Sequence, residues 1–147
     1  MGEAEATVTF RVDYADIDAQ GRVYYGNYVR YFDRARFAFW SVCGLSLDEI
    51  RRLEDETVLA EVETRYHAPA GFYEELQAAA RLTAAGRSSL HFAYRVTRPS
   101  DGTLLAEGRG VLVYIEPASG RSRPLPASLR DRLPSVPAPP AQPSRLA

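Results

Sequence analysis

The chain has 147 residues, 46% hydrophobic and 25% charged, the balance of one ordinary globular domain with its own core rather than of a disordered or fibrous chain. Its 18 Lys and Arg against 19 Asp and Glu leave a net charge of −1; scattered charge argues against nucleic acid or an anionic membrane as partner, while a local arginine cluster is still able to hold a small phosphorylated ligand. The lone Cys43 rules out an intramolecular disulfide and a cysteine-based zinc site, and without a signal-like start or an apolar run near the roughly 20 residues of a membrane span, a soluble cytoplasmic protein is expected.

Residues 7–14 alternate, with Val8, Phe10, Val12 and Tyr14 on one side and Thr7, Thr9, Arg11 and Asp13 on the other, which predicts a half-buried strand. Asp16-Ile17-Asp18-Ala19-Gln20-Gly21 breaks the period into a loop, because Asp and Gly favour turns. Tyr28, Phe32, Ala35 and Phe39 then recur at helical spacing, with Tyr31, Phe37 and Trp40 widening the stripe. This predicts one long amphipathic helix ending near Gly44 and needing a broad sheet face to lie on.

Residues 46–55 suit a short helix, and 57–67, 75–83, 88–98 and 103–116 read as four further strands. Between the strands stand Ala68-Pro69-Ala70-Gly71, Ala85-Gly86 and the hairpin-like Pro99-Ser100-Asp101-Gly102. Leu90, Phe92, Tyr94 and Val96 share one face, as antiparallel pairing requires. One strand, a long helix and four strands in succession predict an α+β fold, with five antiparallel strands wrapped around one long helix. Residues 125–133 suit a short closing helix, so the domain is set at 1–133. Residues 134–147, with five prolines, are expected to form a disordered tail.

Chemistry-bearing residues are densest in the loop before the helix, Asp16-x-Asp18-x-x-Gly21-x-Val23-Tyr24-Tyr25-x-Asn27-Tyr28. Free N–H groups and the positive end of the dipole at a helix start favour an anion or a carbonyl becoming an oxyanion. A calcium loop also opens with alternating oxygen ligands and a Gly at its sixth position, but its twelfth should be a bidentate Glu, and here it is Asn27. Either aspartate is also suited to capping the turn and the helix. That role is preferred for Asp16, whereas the residues alone leave Asp18 open between cap and catalytic carboxylate.

Residues 14–28, Tyr-Ala-Asp-Ile-Asp-Ala-Gln-Gly-Arg-Val-Tyr-Tyr-Gly-Asn-Tyr, followed by Phe32-Asp33-Arg34-Ala35-Arg36, resemble the hallmark of the 4-hydroxybenzoyl-CoA thioesterase family of hotdog proteins. Tyr66-His67-Ala68-Pro69-Ala70 and Glu74-Glu75-Leu76 are similar to that family's second-strand ending and turn. The resemblance implies that Asp18 acts as base or nucleophile on an acyl thioester, that the backbone N–H of Tyr25 polarises its carbonyl, and that Asn27 shapes the site. It further implies an acyl-CoA or carrier-bound acyl substrate, no cofactor or metal beyond the CoA of the substrate, and homodimers pairing into homotetramers with the site at a subunit interface.

Arg87, Ser88 and Ser89 occupy a turn similar to one that relatives use against CoA phosphates, and Tyr24 and Tyr28 are candidates to line the acyl pocket. Many relatives carry His at the position of Tyr25 and Glu at that of Asp33, so the resemblance supplies no histidine-assisted route. A thiolate leaves readily, so a carboxylate and a helix terminus suffice without a serine triad. No Gly-x-Ser-x-Gly occurs, and His67 and His91, both in strands, are expected to be structural. A non-catalytic acyl-CoA binder on the same scaffold is the alternative from another class.

Overall fold

The computed structural model describes residues 4–140. In chain order it contains β1 (Glu5–Arg11), α1 (Asn27–Val42), α2 (Leu47–Asp55), β2 (Thr57–Tyr66), β3 (Glu75–Ala85), β4 (Ser89–Arg98), β5 (Thr103–Tyr114) and α3 (Ala127–Arg130). The strands form one antiparallel sheet in the order β1-β3-β4-β5-β2.

Helix α1 lies across β1, β3 and β4 and buries Tyr28, Tyr31, Phe32, Ala35, Phe39 and Trp40. The alternating face of β4 meets them: Phe32 stacks on Tyr94 at 4.8 Å between ring centroids, and Phe39 and Trp40 stand edge-on to Phe92 at 5.2 and 5.6 Å. Each such side chain taken out of water stabilises the fold by about 1.5–3 kcal/mol, which is what holds the helix to the sheet. Gly108 of β5 permits the close approach, since a Cβ there would stand 2.5 Å from Phe32 and 2.7 Å from the Glu63 carbonyl oxygen.

The short helix expected over residues 46–55 forms as the nine-residue α2 beside the principal helix α1, started by a capping box in which Ser46 and Glu49 satisfy each other's backbone N–H groups. Three details differ from expectation. Strand β1 ends at Arg11, and Tyr14 enters a 3-10 turn (Tyr14–Asp16) with its ring 79% exposed. Phe37, expected to widen the apolar stripe, is 40% exposed, while Arg36 is buried. Its guanidinium meets Asp33 at 2.8 Å and Glu54 at 2.9 Å, and a buried cation is tolerable only with such partners. Lastly, Leu133 and Val136 pack on the core and the Pro137 carbonyl accepts from Ala85 N at 3.1 Å, so 134–140 lies along the end of β3; residues 141–147 fall outside the described residues.

The topology gives the sheet two ends. At one meet the close of β1, the start of β3 and the close of β2, together with the start of α1. At the other lie the 86–88 turn and the start of β2. Strand β3 has 11 residues, so at about 3.3 Å per residue the ends are roughly 33 Å apart.

Candidate active site

The loop between β1 and α1 is a short antiparallel ladder. Ile17 bridges Val23, the Asp18 N–H donates to the Arg22 carbonyl at 2.8 Å, and the Tyr24 N–H donates to the Asp16 carbonyl at 2.9 Å. Gly21 closes the turn at φ +80°, a conformation that glycine adopts without strain. Residues 70–74 brace the ladder from below, with Val23 N donating to Ala70 O and Val12 N to Glu74 O.

Asp18 is half-buried at the head of this turn. Its Oδ1 accepts from Gln20 N at 2.8 Å and Arg22 N at 3.4 Å, while Oδ2 has no protein donor among the described residues. The carboxylate therefore caps its own turn through one oxygen, and that grip orients the other. Capping and catalysis are compatible uses of the same side chain.

Tyr25 comes just before the capping position of α1, where Gly26 supplies no side-chain cap. The Tyr24 carbonyl accepts from Asn27 N at 2.9 Å, and the Tyr66 hydroxyl donates to the Tyr25 carbonyl at 2.9 Å. A planar trans peptide sends its N–H opposite to its carbonyl, so tying back the Tyr24 carbonyl turns the Tyr25 N–H outward. Among the described residues it meets no acceptor, as an oxyanion donor at a helix start requires.

The amide of Asn27 is engaged at both ends: Nδ2 donates to Asp16 O at 3.1 Å and Oδ1 accepts from Arg30 at 3.3 Å. It shapes the loop. The Tyr24 and Tyr25 rings lie 4.5 Å apart and are exposed. Tyr28 is core, 3% exposed, and meets the site through Tyr66 at 5.5 Å. Burial first, then the neighbouring Tyr66 and Glu74, pushes the Tyr28 phenol up to about 12.

Asp16 does not cap the helix as expected. Its carboxylate is buried and accepts from Arg30 at 3.0 Å and from the Tyr31 hydroxyl at 2.9 Å. The two aspartates thus turn to different partners, unlike ligands converging on one cation. Arg87, Ser88 and Ser89 are at the other end of the sheet, where the Arg87 carbonyl accepts from Leu125 N and Arg130; within one chain they do not meet Asp18. His91 pairs with Ser89 at 3.0 Å, and burial pushes its pKa down. His67 turns to Glu107 at 3.2 Å, on the face opposite Tyr66 because successive strand residues alternate.

Tyr66 stands in the sequence motif at the end of β2 without a site role that the motif implies. Pairing it with Tyr25 takes the contact between β2 and the loop, 41 positions apart, which no local spacing encodes.

A five-stranded antiparallel sheet carrying one principal helix, with a carboxylate turn set before that helix's open N-terminus, defines a hotdog-type α+β protein. The family model described as Thioesterase-like superfamily matches residues 12–133, and the chain belongs to that superfamily. The acyl-CoA thioester hydrolase YbgC of Escherichia coli O157:H7 is 30% identical over 119 residues, covering 81% of this chain and 88% of the relative. Among solved structures, a thioesterase from Thermus thermophilus complexed with coenzyme A and Zn is 32% identical with a TM-score of 0.75, covering 87% of this chain and 90% of that one. A 1,4-dihydroxy-2-naphthoyl-CoA thioesterase from Synechocystis has a TM-score of 0.79 at 24% identity, over 88% and 96% of the two chains, a likeness of fold.

Proposed function

We propose that the protein hydrolyses an acyl-CoA to the free acid and CoA at the 16–28 loop, using no cofactor beyond the CoA that the substrate carries. As a member of its superfamily and a relative of YbgC, the chain is a thioester hydrolase. The observation that carries the finer reading is the outward, acceptor-free Tyr25 N–H on the same braced loop as the free Oδ2 of Asp18.

Asp18 acts as a base, taking a proton from the water that adds to the thioester carbon, or as a nucleophile, forming an anhydride that water then opens. In both routes the carbonyl oxygen gains negative charge next to the Tyr25 N–H and the start of α1, the C–S bond breaks, and CoA leaves as a thiolate that takes up a proton. A preorganised donor stabilises that charge without reorganising.

The substrate-binding half of the proposal needs a second copy. Strand β2 is a sheet edge with Val58, Leu59 and Val62 more than 40% exposed, a template for pairing with another chain. Antiparallel pairing of two β2 edges brings the partner's 86–88 turn toward this chain's loop. Arg87, Ser88 and Ser89 then serve the CoA of the neighbouring site, and two such dimers form the tetramer.

The experiment is thiol release from a panel of aliphatic and aromatic acyl-CoAs by the wild type and by Asp18→Asn. A fall of at least about a hundredfold in kcat is expected for loss of the principal acid–base or nucleophilic group. Equal turnover by both proteins would leave Asp18 as a turn cap alone. Turnover of carrier-bound acyl groups only would move the substrate from CoA to a carrier protein, and saturable binding without thiol release would make the protein a binder.

A further inference from the structure

Asp16 and Arg36 are the buried charged residues of the described chain. Arg36 joins α1 to α2 through Glu54, away from the loop, and explains itself as packing. Asp16 has no such distance from the chemistry, because it stands two residues before Asp18 and touches both arms of the ladder.

Its carboxylate takes Arg30 Nη1 on Oδ1 at 3.0 Å and the Tyr31 hydroxyl on Oδ2 at 2.9 Å, both from α1. Its carbonyl takes the Tyr24 N–H at 2.9 Å and Asn27 Nδ2 at 3.1 Å. Arg30 also reaches Asn27 Oδ1 at 3.3 Å, which closes a ring of hydrogen bonds through Asp16, Arg30 and Asn27. Burial and the carboxylate together hold the Tyr31 phenol above its ordinary range, so it remains a donor. One residue therefore fastens the strand bearing Asp18, the strand leading to Tyr25 and the first turn of α1 to each other.

Resting on the thioesterase reading above, we infer that Asp16 is a positioning residue for the reaction: through Arg30, Tyr31, Tyr24 and Asn27 it sets the Asp18 carboxylate in register with the Tyr25 N–H. It does not touch the reacting atoms. Its side chain is only 5% exposed and both its oxygens are taken. With the carboxylate replaced by an amide, an N–H₂ group faces either Arg30, which opens the ring, or Tyr31, which must then turn its hydroxyl from donor to acceptor, and in both cases Arg30 loses its charged partner. A misplacement of about 1 Å in a catalytic geometry costs up to about a hundredfold in rate.

The test is a cycle of Asp16→Asn, Asp18→Asn and the double variant, assayed for thiol release with the best acyl-CoA, alongside thermal melting of each protein. Asp16→Asn is expected to lower kcat by about ten- to a hundredfold with KM within about twofold, and to lower nothing further in the Asp18→Asn background. Tyr31→Phe, which keeps the ring and removes one donor to Asp16, should give a smaller loss with the same lack of effect on KM, and it serves where Asp16→Asn melts below the assay temperature. Multiplying losses in the double variant would overturn the inference, since a structural defect lowers the active fraction in any background. So would an unchanged kcat in both Asp16→Asn and Tyr31→Phe while Asp18→Asn is impaired. Wild-type protein that turns over no thioester would overturn the thioesterase reading and this inference with it.

Discussion

At the scale of single residues, the proposed site asks more of backbone groups than of the tyrosine side chains that draw the eye. Tyr25 is 62% exposed, and what the proposal asks of it is an N–H, which any residue but proline supplies. Tyr25→Ala is therefore expected to keep kcat within about fivefold of wild type, well above Asp18→Asn, with any larger change in KM reporting contact between the ring and the acyl group. Tyr66→Phe keeps the ring at the end of β2 and removes the donor to the Tyr25 carbonyl. A net hydrogen bond is worth about 1 kcal/mol, so a fall of about fivefold in kcat is expected, measured by steady-state thiol release. An unchanged kcat in Tyr66→Phe would mean that the Asn27 N–H to Tyr24 carbonyl bond orients the donor unaided.

At the scale of elements, the decisive contact is α1 against the sheet. It rests on Phe32 lying over Gly108 and against Tyr94. Gly108→Ala puts a methyl group into the Phe32 ring and against the Glu63 carbonyl, and the second neighbour is backbone of β2 that has no rotamer to escape into. Overpacking of this kind costs about 1–3 kcal/mol, which for a domain of this size lowers Tm by several degrees. Calorimetry measures it directly. An unchanged Tm would show that α1 lifts from β5 without loss. Because α1 also carries the start of the site, the same variant is expected to lose kcat at temperatures where it is fully folded.

At the scale of the whole molecule, a single chain keeps Asp18 and Arg87 at opposite ends of the sheet, and the proposed antiparallel pair of β2 edges is what would bring them together. Val62→Glu places a charge on the open β2 edge and is expected to yield monomers in sedimentation together with loss of activity. Mixing offers a sharper check, since Asp18→Asn and Arg87→Ala subunits, each impaired alone, would form heterodimers holding one site with both residues intact. Activity recovered on mixing toward a quarter to a half of wild type supports sites shared between subunits; none recovered would confine each site to its own chain. The other prominent surface is a groove of about 430 Å³ on the outer sheet face, lined by Glu5, Glu63, Arg65, Arg81, Arg95 and Arg109 among others, whose paired charges offer a polar rather than an acyl-binding surface.

By itself the sequence determined the strands to within a few residues, α1 and its aromatic stripe, the loop at Asp18 and the helix start beyond it. These are local matters: a period of two or 3.6, a glycine at a tight turn, an aspartate before a helix. Tertiary structure decided what depends on long-range contact. Arg36 is buried because Glu54 and Asp33 come to meet it, and Tyr14 is exposed because the chain turns before it. Asp16 is a buried hub rather than a cap, because α1 folds back and presents Arg30 and Tyr31 to it. Residues 134–140 read as tail by composition, yet the Pro137 carbonyl finds the Ala85 N–H on β3. A side chain's partners lie dozens of positions away in sequence, and burial, which sets the cost of a charge and the need for its counterpart, exists only once the sheet and helix have closed on each other.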